Sequence, residues 1–106
     1  MTCKELSEKI DGKILSGDGE RVLNGCYIGD LLSLAMSKVQ ADSLWITIQS
    51  NINIVAVASL TDAGCIVICD GFSPDEDALK KAIDEDITII TTEKSAYEIA
   101  IAFHEN

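Results

Sequence analysis

Four cysteines, Cys3, Cys26, Cys65 and Cys69, and one histidine, His104, have the side chains best suited to nucleophilic or metal chemistry. Their spacing does not assemble it. No C-x-x-C occurs, and a structural zinc or iron–sulfur site needs four ligands converging on one point. Cys65 and Cys69 bracket "CIVIC", an apolar run that reads as a buried strand. Four residues along a strand separate two Cα atoms by roughly 13 Å, beyond the about 7 Å that a disulfide spans. The cysteines are therefore expected as small buried hydrophobes in a reducing compartment. His104 lies near the end of the last predicted helix and reads as a solvated or capping residue, so no nucleophile–base pair forms. The carboxylates of "DGFSPDED" and "DEDI" fall at helix ends and read as solvated charge. "SGDGE" carries two acids and no Lys-Ser/Thr, so it is not a phosphate loop. No catalytic residue, metal or cofactor is expected, and the chain reads as not an enzyme.

A second set of residues suits binding rather than catalysis: Gly29, Asp30, Asn51, Asn53, Asp70, Gly71, Ser73, Thr92 and Ser95. Each falls where a strand gives way to a helix. Free N–H groups at a helix start favour a carboxylate, phosphate or carbonyl, and glycine lets backbone approach a ligand. In open parallel α/β sheets such ends line one crevice. Here they read Gln49-Ser50-Asn51, Cys69-Asp70-Gly71 and Thr91-Thr92-Glu93, with Gly29 and Asp30 flanking from another helix start. Ser, Thr, Asn and Asp at these places also serve as plain helix caps. An adenine nucleotide suits the N–H groups but meets Asp70 and Glu93 at the same rim.

The elements that would position these residues follow from periodicity and caps. Thr2 and Glu5 have the form of a capping box, giving a helix over 3–10. A weak strand is expected at 13–15, a turn at 16–20 and a strand at 21–28, with Gly25 a bulge or close-approach point. Asp30 is expected as N-cap or first-turn acid of a helix whose buried face is Leu31, Leu32, Ala35, Met36 and Val39. Residues 43–49 alternate as a strand. Residues 65–69 are apolar on both faces, as in a central parallel strand. Ser73 and Pro74 are expected to open a helix with Asp75, Glu76 and Asp77 at its positive end, burying Ala78, Leu79, Ala82 and Ile83. A strand at 87–92 and a helix at about 94–104, burying Ala96, Ile99, Ala100 and Phe103, complete the chain. The run at 52–61 is ambiguous. Asn51 and Asn53 as caps and the alanines favour a helix, which makes the second half βαβαβα; a strand paired with 65–69 is the alternative.

Composition bounds the rest. A chain of 106 residues with 47 % hydrophobic residues suits one domain with a packed core, spanning 1–106. Eighteen acids against eight bases give a formal charge of −10, and aromatics are 5 %, which disfavours nucleic acid and anionic membranes. No apolar stretch approaches the roughly 20 residues of a membrane span, and "MTCKELSEKI" lacks the order of a signal peptide. The expectation is a soluble, cytoplasmic protein.

"NGCYIGDLLS", "LWITIQSNINIVAVASL", "GCIVICDGFSPDEDALKKA" and "ITIITTEKSAYEIA" together resemble the DRTGG domain family over about 11–104. They are also similar to the N-terminal domain of HPr kinase/phosphorylase and, remotely, of Mur ligases. The resemblance implies a layered α/β/α domain with a mostly parallel sheet of about five strands, and makes 52–61 a helix. The sequence departs from the motif that names the family: Ser50-Asn51 stands in place of Asp-Arg, and Cys69-Asp70-Gly71 in place of Thr-Gly-Gly, keeping Gly71 alone. The resemblance implies a bacterial, non-enzymatic regulatory or ligand-sensing module that acts through protein contacts. A homodimer is expected, with a protein partner in redox or phosphotransfer regulation and a small ligand at the strand ends. The alternatives are a phosphotransfer accessory without the phosphate loop, and a dimeric scaffold without ligand.

Overall fold

A computed structural model describes residues 1–105. The element order is α1 (Cys3–Lys9), β1 (Lys13–Ser16), β2 (Gly25–Ile28), α2 (Leu32–Lys38), β3 (Ser43–Thr47), α3 (Asn53–Thr61), β4 (Cys65–Ile68), α4 (Glu76–Asp84), β5 (Ile89–Thr91) and α5 (Ala96–His104). The ambiguous run is thus helical, and the second half is βαβαβα. The five strands form one sheet in the order β1-β5-β4-β3-β2. Three ladders are parallel, and β1 alone runs antiparallel, against β5. The domain is α/β with a mixed sheet.

Alternation of side chains divides the core into two layers. Trp45, Ile66, Ile68 and Ile89 face α2, α3 and α4, where Ala35, Val39, Ile54, Val55, Ala58, Ala78 and Ala82 pack against them. Leu44, Ile46, Cys65, Val67 and Ile90 face α1 and α5, meeting Cys3, Leu6, Ile10 and Ile99. Strands β3 and β4 are buried along their whole length, as expected of central parallel strands. The capping box of α1 is present, with Glu5 N–H donating to Thr2 Oγ1 at 3.1 Å and Thr2 N–H to Glu5 Oε1 at 2.8 Å.

Several local expectations need correction. The strand expected at 21–28 is confined to Gly25–Ile28. Residues 21–23 pair instead with the chain's start, through Cys3 N–H to Arg21 O and Leu23 N–H to Met1 O. Gly25 is a close-approach point and not a bulge, since a Cβ there would sit 2.8 Å from Ser43 Oγ. The register break falls in β1, between Ile14 and Ser16. There the Ser16 hydroxyl donates to Ile87 O and accepts from Ile89 N–H, replacing lost ladder bonds. Of the face assigned to α2, only Ala35 and Val39 are buried and Leu32 is half-buried, while Leu31 and Met36 are exposed. Helix α2 lies over β2, the last strand, so part of its surface overhangs the sheet. Ile83 of α4 is likewise exposed. Helix α4 begins at Glu76 with Asp75 before it, and not at Ser73-Pro74. The Asp75 N–H donates to Ser50 O at 2.8 Å, which holds 71–75 as a loop against the β3–α3 connection.

The non-glycine residues with positive φ are all aspartates: Asp11, Asp42, Asp62, Asp70 and Asp86. Aspartate tolerates this left-handed region better than most residues with a Cβ. Part of the acidic excess therefore serves turns. Arg21 ties two of these turns together, bonding Asp42 at 2.8 Å and Asp62 at 2.9 Å.

Candidate functional site

The C-terminal ends of β2, β3, β4 and β5 form one rim, and the nine candidate residues divide along it into two groups. The first group surrounds the ends of β2 and β3. Gly29 N–H donates to Ile46 O, and Gly29 O accepts from the fully buried Trp45 indole at 3.0 Å. Asp30 does not cap α2, whose N-cap position is Leu31 without a side-chain bond. Its Oδ1 accepts instead from Thr47 Oγ1 at 2.8 Å and from Ile48 N–H at 2.9 Å, joining β2 to the end of β3. Gln49 Nε2 donates to Asp30 O, and Asn51 Nδ2 donates to Gln49 Oε1. Asn51 Oδ1 then accepts from Asn53 N–H at 2.8 Å, as an asparagine turn does. Asn51 is thus the capping residue at this helix start, and Asn53 is the residue whose N–H is capped.

The second group surrounds the ends of β4 and β5. Asp70 and Gly71 take φ of 58° and 78°, and their N–H groups donate to Lys94 O and Thr92 O. A Cβ on Gly71 would lie 2.8 Å from Glu93 Oε2, so the Glu93 carboxylate rests over this glycine. Thr92 is buried; its hydroxyl donates to Ile10 O at 2.7 Å and accepts from Lys94 N–H. Ser95 and Glu98 form a full capping box for α5. Its S-x-x-E signature stands in the sequence as Ser95-Ala96-Tyr97-Glu98. Ser73 is exposed.

Beside this second group lies a shallow depression of about 190 Å³, bordered by Gly71, Phe72, Ser73 and Glu93 and, from elsewhere in the chain, Asp11 and Lys13. Asp11 and Lys13 escaped the sequence reading because they lie at or just before the start of β1, far in sequence from the strand ends that form the rim. They reach the rim only because β1 runs antiparallel beside β5, pairing Lys13 with Thr91. Lys94 approaches Asp11 at 3.8 Å. The charges lining the depression are thus mixed, with Asp11 and Glu93 against Lys13.

Cys3, Cys65 and Cys69 are buried and Cys26 is exposed. Cys69 lies at the rim, 3.4 Å from Asp70 Oδ2. Burial and this carboxylate push its thiol up to about 11. A hydrogen bond with Cys3 and full burial push Cys65 up as well. These thiols stay protonated at neutral pH and are poor nucleophiles. Among the described residues, no three His, Cys, Asp or Glu side chains are grouped to hold a metal ion.

The DRTGG domain profile matches residues 5–105. The chain belongs to the DRTGG domain family. The match takes in most of α1, beyond the resemblance over about 11–104. Among solved structures, the chain is similar to the CBS and DRTGG domains of the regulatory region of Clostridium perfringens pyrophosphatase, complexed with its activator diadenosine tetraphosphate. The TM-score is 0.74 at 11 % identity, over 93 % of this chain and 44 % of that one, so the likeness is one of fold. This DRTGG chain spans less than half of that regulatory region. Curated proteins give no match. Ser50-Asn51 and Cys69-Asp70-Gly71 occupy two neighbouring loops at the rim, joined through Ser50 O to Asp75 N–H. Among the described residues, no helix is long and apolar enough to cross a membrane.

Proposed function

We propose that residues 1–106 form a single non-enzymatic DRTGG module that senses a small ligand at its strand C-terminal ends and acts through protein contacts, as a homodimer. A cytoplasmic, bacterial setting and a protein partner in redox or phosphotransfer regulation belong to the same reading. The observation that carries it is a DRTGG fold whose strand ends leave Gly71, Ser73 and Glu93 around an open depression. The activator bound by the C. perfringens regulatory region supports a small ligand as the input. The rim here, with Asp11, Asp70 and Glu93, suits a ligand less anionic than a tetraphosphate.

Isothermal titration of the chain with adenosine, AMP, ATP and diadenosine tetraphosphate tests the sensing role. At least one is expected to give a saturable heat that Ser73→Trp abolishes; Ser73 is exposed and outside α4, so its replacement fills the depression without touching the core. Absence of heat with every ligand at millimolar concentration would overturn sensing. A dimeric scaffold would then be the better reading, as Asp30, Asn51, Thr92 and Ser95 already spend their side chains on internal bonds. Nucleotide turnover in the same samples would overturn the non-enzymatic reading.

A further inference from the structure

The two edges of the sheet are treated differently. Edge β1 is blunted: it carries the exposed Lys13, breaks register between Ile14 and Ser16, and turns away at Gly17. Edge β2, Gly25–Ile28, has no charge, no proline and no bulge, and pairs with β3 in unbroken register. Gly29 N–H donates inward to Ile46 O. Strand alternation then turns the amide groups of Tyr27 toward β3 and leaves the N–H and C=O of Cys26 and Ile28 pointing out of the sheet. Natural sheets rarely leave such an edge open unless something pairs with it.

Apolar side chains surround this edge. Ile28, Leu31, Leu34 and Ile48 are 50 %, 62 %, 50 % and 39 % exposed. Leu31, Leu34 and Lys38 fall on one flank of α2 by helical spacing. Lys38 borders a groove of about 610 Å³ together with Asn24, Cys26 and Tyr27, which places that flank over the open edge. Charge is distributed to match. Residues 22–61 contain only Asp30, Lys38 and Asp42, a net −1 of the chain's −10. Asp42 is paired with Arg21, and Asp30 is bonded to Thr47 and Ile48. This surface thus carries little of the charge by which a strongly acidic chain repels its own copy.

Resting on the homodimeric reading above, we infer that the occupant of this surface is a second copy of the chain, docked β2 against β2 about a two-fold axis at Tyr27. The two strands run antiparallel, and Cys26 and Ile28 of one copy exchange N–H···O bonds with Ile28 and Cys26 of the other. The two sheets become one of ten strands. An axis normal to the sheet keeps both α2 helices on the same face, so Leu31 and Leu34 of each copy meet across it. Such an interface is isologous and closes at two copies.

Sedimentation velocity on the full chain from 1 to 200 µM tests this, with Ile28→Lys and Leu34→Glu as interface variants. Both positions are half exposed and both substitutions leave the core intact, as circular dichroism will check. The wild type is expected at twice 11.4 kDa at the upper concentrations, with each variant shifted to monomer by at least tenfold in dissociation constant. In a Cys26→Ser background, Tyr27→Cys should form a disulfide-linked dimer with oxidised glutathione, as Cα atoms in a directly opposed pair lie within disulfide reach. Leu60→Cys, on exposed α3, should not. A monomeric wild type at 200 µM overturns the homodimer itself, including the case in which a different protein covers this edge. A dimer that survives both interface variants, or that crosslinks through Leu60→Cys instead, overturns this interface and leaves the homodimeric reading standing.

Discussion

Asp30 offers the sharpest test of how the rim is built, because sequence and structure give it different work. A cap of α2 and a tie between β2 and β3 differ in what is lost with the carboxylate. In the structure Asp30 Oδ1 accepts from Thr47 Oγ1 at 2.8 Å, and Thr47 is 1 % exposed. A hydrogen bond to a charged acceptor contributes about 1.5–3 kcal/mol, and a buried O–H left without an acceptor costs about 1–3 kcal/mol, while the Thr47 oxygen keeps the N–H of Gln49. Asp30 itself is exposed, so water screens it and the lower part of that range applies. The Ile48 N–H at the rim can turn to water and adds little. Asp30→Ala is therefore expected to cost about 2 kcal/mol, and Asp30→Asn about 1 kcal/mol because it keeps an acceptor. Thr47→Val removes the other partner; in the double variant, the two losses should fall short of additivity by about 1 kcal/mol. Urea unfolding followed by Trp45 fluorescence, at one fixed protein concentration, measures all four chains. Additive losses, or an Asp30→Ala cost under about 0.5 kcal/mol, would refute the strand tie.

Three further outcomes follow from named contacts. Gly71→Ala should cost about 1 kcal/mol in urea unfolding, set by its positive φ, because the Glu93 carboxylate it meets is the far end of a flexible side chain; a cost well above this would mean that Glu93 is held in place. Hydrogen bonds from Ser95 hold the Glu98 carboxyl below its usual value. A depressed folded pKa stabilises above the unfolded value of 4.5 and is lost as pH falls through the folded one. The gap in Tm between wild type and Glu98→Ala should thus be largest near neutrality and shrink below about pH 4.5, and a pH-independent gap would contradict the capping role. In a chain dilute enough to be monomeric, a thiol reagent at neutral pH should modify Cys26 first, slowed by the desolvation that pushes its thiol up, and Cys3, Cys65 and Cys69 only as the chain unfolds; rapid modification of two or more thiols would show the core opening locally.

Most of the elements were legible in local sequence patterns. Thr2 with Glu5 marked the start of α1, and "CIVIC" marked a strand buried on both faces. The alanines with Asn51 and Asn53 favoured a helix at 52–61 without excluding a strand, because caps depend on residues within about one turn of each other but periodicity does not decide so apolar a run. Ser95 with Glu98 marks α5 in the same local way. Choices between distant segments were not legible there and depend on the packed fold. The antiparallel docking of β1 on β5 brings Asp11 and Lys13 to the rim, and no local pattern specifies which strand an edge will join. Asp30 reaches Thr47 and not its own helix because β2 and β3 pair in the register Ile28 to Ile46. Leu31 and Met36 fit the helical spacing of the expected face, yet they stay exposed because α2 sits at the end of the sheet, where periodicity can name an apolar face but not what covers it. The rim and the β2 edge are both products of sheet order, which is fixed by the packing of the whole chain.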